Sequence, residues 1–145
     1  MALPAPPFAL ERTFTHRLHK LQKITDRATQ RAYLRETGLS LGEGRCLAAV
    51  GAFGPLSVND LAGHANLTKG QASRAAQSLV DQQLIDKRTS TTDGRGVTLA
   101  LTPEGKRVWR RLCRVIEQRN AAITACLEPA ERAELDRLLD RLIAG

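Results

Sequence analysis

At 145 residues the chain has the length of one domain, or of one module with appended helices, and is long enough to bury a proper core. Its residues are 42% hydrophobic but only 3% aromatic, which suits Ala/Leu-rich helices better than a β-sandwich. The formal charge of +7 favours a polyanionic partner over an acidic small protein.

The three cysteines (Cys46, Cys113 and Cys126) form no C-x-x-C pair and are odd in number, so neither a disulfide nor a zinc framework is implied. The opening MALPAPPFAL has no early basic residue and three prolines, which is not the pattern of a secretory signal. No run approaches the ~18 apolar residues of a membrane span. A cytoplasmic protein with no membrane partner is expected.

After a Pro/Ala-rich lead, a long amphipathic helix is predicted from Phe8 to about Leu34, ahead of Gly38. Its apolar residues Leu10, Phe14, Leu18, Leu21, Ile24 and Ala28 recur at spacings of three and four. A stripe that thin on a basic helix suits a helix–helix seam. Ser40-Leu-Gly-Glu43 reads as a capping box. The helix it opens carries Cys46, Leu47, Ala49, Val50 and Phe53 inward and stops at Gly54-Pro55. Ser57-Val-Asn-Asp60 opens the next helix, with Val58, Leu61, Ala62 and Ala65 inward. Thr68-Lys-Gly-Gln71 is a second capping box, starting a helix with Ala72, Ala75, Ala76, Leu79 and Val80 on its inner face. The opposite face is polar: Gly70, Ser73, Arg74, Gln77 and Asp81.

Ile85–Thr89 and Val97–Leu101 read as the arms of a hairpin, the second strictly alternating, around a Gly-containing tip. Thr102-Pro103 then starts a helix reaching about Ala125, with Val108, Leu112, Val115, Ile116, Ala122, Ile123 and Cys126 on one side. Glu128-Pro129 starts the last, striped by Leu135, Leu138, Leu139, Leu142 and Ile143. The fold class is therefore mainly α with one β-hairpin: a winged helix-turn-helix over residues 40–102, flanked by helices at 8–37 and 103–145 in one domain. The surplus apolar stripes of the flanks predict a homodimer.

Charge is concentrated in the flanks. Residues 8–37 and 103–125 each carry net +4, whereas 57–102 carry +1. In a helix-turn-helix the second helix enters the major groove and its exposed face meets base edges. Arg74 can bridge guanine O6 and N7, and Gln77 can pair with adenine. Thr68, Lys69, Gln71 and Ser73 are placed to touch the DNA, the hydroxyls and Lys69 at phosphate, which fixes register without reading sequence. On the wing, Lys87 and Arg88 suit phosphate, Arg95 beside Gly94 suits a minor groove, and Asp93 suits positioning a nearby arginine. Double-stranded DNA is the partner these residues imply. A winged helix used for protein contact is the alternative.

His16 and His19 lie one turn apart, yet no carboxylate or cysteine completes a metal set locally. No metal or cofactor is expected. Cys46, beside Arg45, is the one thiol that suggests an oxidant sensor, although buried free cysteines are usually inert packing. There is no G-x-S-x-G, P-loop or dinucleotide-binding glycine pattern, so an enzyme is not expected.

The run from Leu41 to Leu101, continued by Leu-Thr-Pro-Glu-Gly to Gly105, resembles the multiple antibiotic resistance regulator (MarR) family. The matching pieces are Leu61-Ala62, Lys69 with Ser73-Arg74, Leu79, and Leu84-Ile85 with Arg88; the wing tip carries Asp93 and Arg95. Gln83 stands where the family commonly has glycine, so the turn after the second reader helix is expected to be strained or differently shaped. The tip Asp93-Gly94-Arg95 has one arginine fewer than the family's usual Asp-Arg-Arg, which lowers the expected backbone affinity. The resemblance implies a dimeric repressor on a pseudo-palindromic operator, released by a small molecule such as an aromatic acid or phenol. It further implies a ligand pocket between the flanking helices and the reader, formed here by His19, Arg45, Cys46, Phe53, Trp109, Arg110 and Arg114.

Overall fold

A computed structural model of the chain describes residues 7–89 and 96–145. A 3-10 turn at Leu10–Arg12 precedes α1, Phe14–Thr37. The helical periodicity from Phe8 is therefore interrupted. Thr13 turns extended (φ −72°, ψ 151°), and its N–H and Oγ1 both donate to the Leu10 carbonyl, at 3.1 and 2.7 Å. At the other end α1 runs three residues past Leu34 and stops at Gly38, whose left-handed φ of 73° closes the last turn onto the Leu34 carbonyl.

Next come α2 (Leu41–Phe53), α3 (Val58–Ala65) and α4 (Lys69–Asp81). The Ser40 and Thr68 capping boxes form as the sequence predicts, and Ser57 accepts the Asp60 N–H at 3.1 Å. Strands β1 (Ile85–Thr89) and β2 (Val97–Leu101) pair antiparallel in the register Ile85↔Leu101 to Thr89↔Val97. Leu56, between α2 and α3, adds a bridge that no local pattern announced: its N–H donates to Leu99 O at 3.0 Å and its carbonyl accepts from Leu99 N–H at 2.7 Å. Thr102 caps α5 (Pro103–Ile123) by accepting the Gly105 N–H at 2.9 Å. This helix ends earlier than its apolar stripe suggested, so Cys126 lies exposed beyond it. Glu128 and Glu131 form a capping box at the start of α6, Pro129–Ala144.

One core joins α1, α2, α3, α4, the hairpin and α5, with Leu39, Cys46, Leu47, Leu61, Leu79, Ile85, Leu99 and Leu112 fully buried. Its helices approach closely because α2 is rich in small residues. A Cβ on Gly44 would overlap the Tyr33 ring of α1, and one on Gly51 would overlap the Trp109 indole of α5. The remaining ends are different. No residue of α6 is buried, and the amino-terminal half of α1 leaves Phe14, Leu18, Leu21 and Ile24 exposed.

Candidate nucleic-acid interface

Helix α4 is fixed from behind. Ala72, Ala76 and Leu79 are buried against α2 and α3, while Ala75 and Val80 are half-buried. Alanines on the inner face let the helix sit low, which leaves Lys69, Gly70, Gln71, Ser73, Arg74, Gln77 and Asp81 exposed on one side. Arg74 folds back towards the start of α4, its Nη1 lying 3.6 Å from where a Cβ on Gly70 would stand. Its guanidinium therefore lies beside the amino-terminal turn, the part of a recognition helix that meets base edges.

Four of the expected DNA contacts have protein partners in the free chain. Thr68 Oγ1 accepts the Gln71 N–H at 3.2 Å and Gln71 Oε1 accepts the Thr68 N–H at 3.0 Å, so both are committed to the cap. Gln77 is held at both ends, donating from Nε2 to Asp81 at 2.8 Å and accepting at Oε1 from Lys87 Nζ at 2.6 Å. A bidentate adenine contact by Gln77 thus requires both bonds to be exchanged, and Lys87 must leave Gln77 to reach a phosphate. Arg88 lies on β1, exposed, towards α5. The expected wing-tip contacts Asp93, Gly94 and Arg95 lie outside the described residues.

Behind α4 is a bridge that sequence spacing did not reveal. The Glu43 carboxylate closes its own capping box at Ser40 N–H (2.9 Å) and also accepts from Ser78 Oγ (2.5 Å) and Gln82 Nε2 (2.7 Å) at the far end of α4. Partial burial by itself raises its pKa, but the hydrogen bonds from Ser78, Ser40 and Gln82 outweigh this and hold the carboxyl below its ordinary value. Ser78 and Gln82 are 35 and 39 residues from Glu43, beyond any local signal. The turn after α4 is strained as expected: Gln83 takes φ +63°, a conformation that favours glycine.

The seven residues expected to line one ligand pocket do not share one. Arg45 and Phe53 line a 280 Å³ cleft with Tyr33, His64, Asn66 and Ile116, where α1, α2, α3 and α5 meet. Arg45 Nη2 is 2.9 Å from Asp26 Oδ1, and Phe53, predicted inward, is 56% exposed and stacks on His64 with ring centroids 4.2 Å apart. Burial pushes the Tyr33 hydroxyl pKa up, with Arg45 and Asp26 opposing each other more weakly, so it stays a neutral donor. His19 lies in a separate groove along α1 that includes Asp26. Trp109 and Arg110 face a third cleft on another side of α2, and Arg114 is exposed. Cys46 is fully buried in the core and lines no ligand surface. Burial, with the Glu43 charge added, raises its thiol pKa to about 11, so Cys46 itself is kept neutral and enclosed, the opposite of what an oxidant-sensing thiol needs.

Residues 37–96 match the sequence pattern of the MarR family. The HTH-type transcriptional repressor Rv2887 of Mycobacterium tuberculosis is 29% identical over 111 residues, covering 77% of this chain and 80% of that one. Its structure with salicylic acid superposes with a TM-score of 0.76 at 25% identity, over 93% of this chain and 99% of that one. Over its reader the chain is similar to the MarR family.

A MarR-family transcriptional regulator from Silicibacter pomeroyi shares the winged-helix fold described above. A structure of Bordetella bronchiseptica BpsR, concerned with regulation of its DNA binding by 6-hydroxynicotinic acid, superposes with a TM-score of 0.86 at 20% identity. It covers 97% of this chain and 99% of that one, so flanking helices as well as reader share that structure's fold. Among the described residues no helix is long and apolar enough to cross a membrane.

Proposed function

We propose that this chain is a sequence-specific DNA-binding repressor acting as a homodimer and released by a small aromatic acid. The observation that carries the reading is α4: a helix capped at its start, buried along an alanine face and presenting Arg74 beside its amino-terminal turn. Such a helix suits the major groove, where a good bidentate contact discriminates by ~1–3 kcal/mol.

The dimer part of the reading rests on the exposed stripes. Leu18, Leu21 and Ile24 of α1, and Leu138, Leu139, Leu142 and Ile143 of α6, are 41–83% exposed in the single chain. A second copy covering them gives a two-fold assembly, and a two-fold assembly suits a pseudo-palindrome with half-sites ~34 Å apart. The effector part rests on the Arg45 cleft. An aromatic carboxylate would take the Arg45 guanidinium in competition with Asp26, donate to or accept from Tyr33, and lay its ring among Phe53, Ile116 and the alanines of α2. Salicylic acid in the Rv2887 structure and 6-hydroxynicotinic acid with BpsR support that class. Because the cleft joins α1 and α5 to the reader, a ligand that prefers one relative placement of these parts shifts the spacing of the two α4 helices. It acts only through that difference in affinity.

The test is fluorescence anisotropy with DNA from upstream of the protein's own gene, at two salt concentrations and with excess random DNA. Binding that survives the competitor, weakens in Arg74→Ala and is released by salicylate in the wild type but not in Arg45→Gln supports the reading. Binding that random DNA removes leaves only charge attraction and sinks it.

A further inference from the structure

We propose that the exposed basic row of α1 is a second DNA-binding surface, holding a duplex other than the one that α4 reads. Lys20, Lys23, Arg27 and Arg31 recur at spacings of three and four, so they stand in line along one side of the helix. All four are exposed. Thr29, whose hydroxyl accepts from Arg119 of α5 at 3.3 Å, is two residues from both Arg27 and Arg31. It therefore lies ~200° around the helix from them, and the row faces away from α5. At a rise of about 1.5 Å per residue the row is ~16 Å long. Among the described residues none of the four makes an ion pair. The nearby carboxylates of α1 are engaged elsewhere, Asp26 with Arg45 at 2.9 Å and Glu36 with Arg35 at 3.1 Å. The row thus keeps its whole charge, and its members repel one another at i, i+3 and i, i+4. A line of anions laid along it relieves that repulsion.

Duplex DNA suits this row better than an acidic protein does. A duplex carries one negative charge per ~1.7 Å of its axis, so the row meets a dense line of phosphates wherever it is laid. A protein partner would need an apolar anchor at the centre of its contact. Lys20, Lys23 and Arg27 line a 290 Å³ groove whose one apolar member is Ile24, a residue of the dimer stripe. The duplex is a second one because the two surfaces belong to different parts of the fold. Helix α4 packs on α2, α3 and β1, whereas α1 packs on α2 and α5. Lysine and arginine on phosphate read no sequence, so the row takes any duplex while α4 selects one. An assembly carrying both surfaces holds two segments of DNA at once.

DNA from upstream of the protein's own gene is fixed to beads, the full-length protein is added, and capture of a free fluorescent random duplex is measured. The wild type is expected to capture the free duplex. Lys20→Gln with Lys23→Gln and Arg27→Gln should reduce that capture by about tenfold or more while still binding the beads. In anisotropy titrations with the random duplex, the log–log salt slope should fall by ~0.9 for each phosphate contact removed. Circular dichroism and sedimentation should not change, because the three side chains are exposed and glutamine suits a helix. No capture by the wild type, or an unchanged salt slope in the triple variant, overturns the proposal. Capture that survives in the triple variant overturns it too, since the readers alone then bridge. Loss of binding to the beads places the row on the same duplex as α4 and refutes the second one. A triple variant that sediments as a monomer assigns the row to carboxylates of a second copy instead. Upstream DNA that unlabelled random competitor displaces sinks the repressor reading alone, because the random-duplex titration still tests the row.

Discussion

Helices α4 and α6 are both amphipathic, both capped by a reciprocal box and of similar length, yet they end in opposite circumstances. The stripe of α4 (Ala72, Ala76 and Leu79) is entirely buried, whereas Leu138, Leu139, Leu142 and Ile143 of α6 are 41–83% exposed. The small side chains of α4 are buried against α2 and α3 within the one chain. The long leucines of α6 need a deep counter-surface, and the single chain supplies none. An apolar period thus tells which face of a helix will be covered but not what covers it. The reader is closed within one chain, whereas the ends keep uncovered apolar faces, which the proposed dimer would cover.

The comparison breaks most severely at α6. Leu138→Asp with Leu142→Asp should abolish the dimer, because two leucines from each copy are lost at ~1.5–3 kcal/mol apiece. Sedimentation should show a monomer that remains helical, and a dimer persisting in this double variant would refute the assignment of this stripe. Within the reader, Leu79→Ala should cost ~2–5 kcal/mol of stability, read by denaturant unfolding, because the fully buried site leaves a cavity. Arg74→Ala should leave stability unchanged but lower operator affinity by ~1–3 kcal/mol in an anisotropy titration. An unchanged affinity would remove Arg74 as a reader of bases.

Smaller effects test how α4 is held. Glu43→Ala removes a cap and a bridge to Ser78 and Gln82, and should cost ~1–2 kcal/mol in denaturant unfolding. The pH dependence follows from the lowered carboxyl pKa. The stabilisation is complete above the unfolded value near 4.5 and is lost as pH falls through the lower folded value, so the wild-type advantage over Glu43→Gln should shrink in acid. Smallest of all, Gln83→Gly should raise stability by less than about 1 kcal/mol, since relief of the left-handed strain at φ +63° is partly offset by greater unfolded-chain entropy. A loss of stability there would mean that the Gln83 side chain holds the turn.

The caps, periods and turn residues of this sequence are local, and they determined the elements with their order. Ser40, Ser57, Thr68 and Thr102 each begin the helix they were expected to begin, and Ile85 and Val97 open the two strands. They also placed Arg74 and Ser73 on the outward face of α4, because a helix of 3.6 residues per turn with buried alanines at 72 and 76 leaves no other place. What lay beyond reach was every arrangement made by residues distant in the chain. The Leu56–Leu99 bridge, the Arg45–Asp26 pair, the Glu43–Ser78 contact and the Gln77–Lys87 bond each join two elements. The seven residues grouped as one pocket were grouped by family likeness. Helix rotation about α2 then parted them, sending Arg45 and Phe53 to one cleft, Trp109 and Arg110 to another and Cys46 into the core. Periodicity fixes direction around one helix axis, whereas a site is fixed by the angle between axes, and only the packed chain sets that angle.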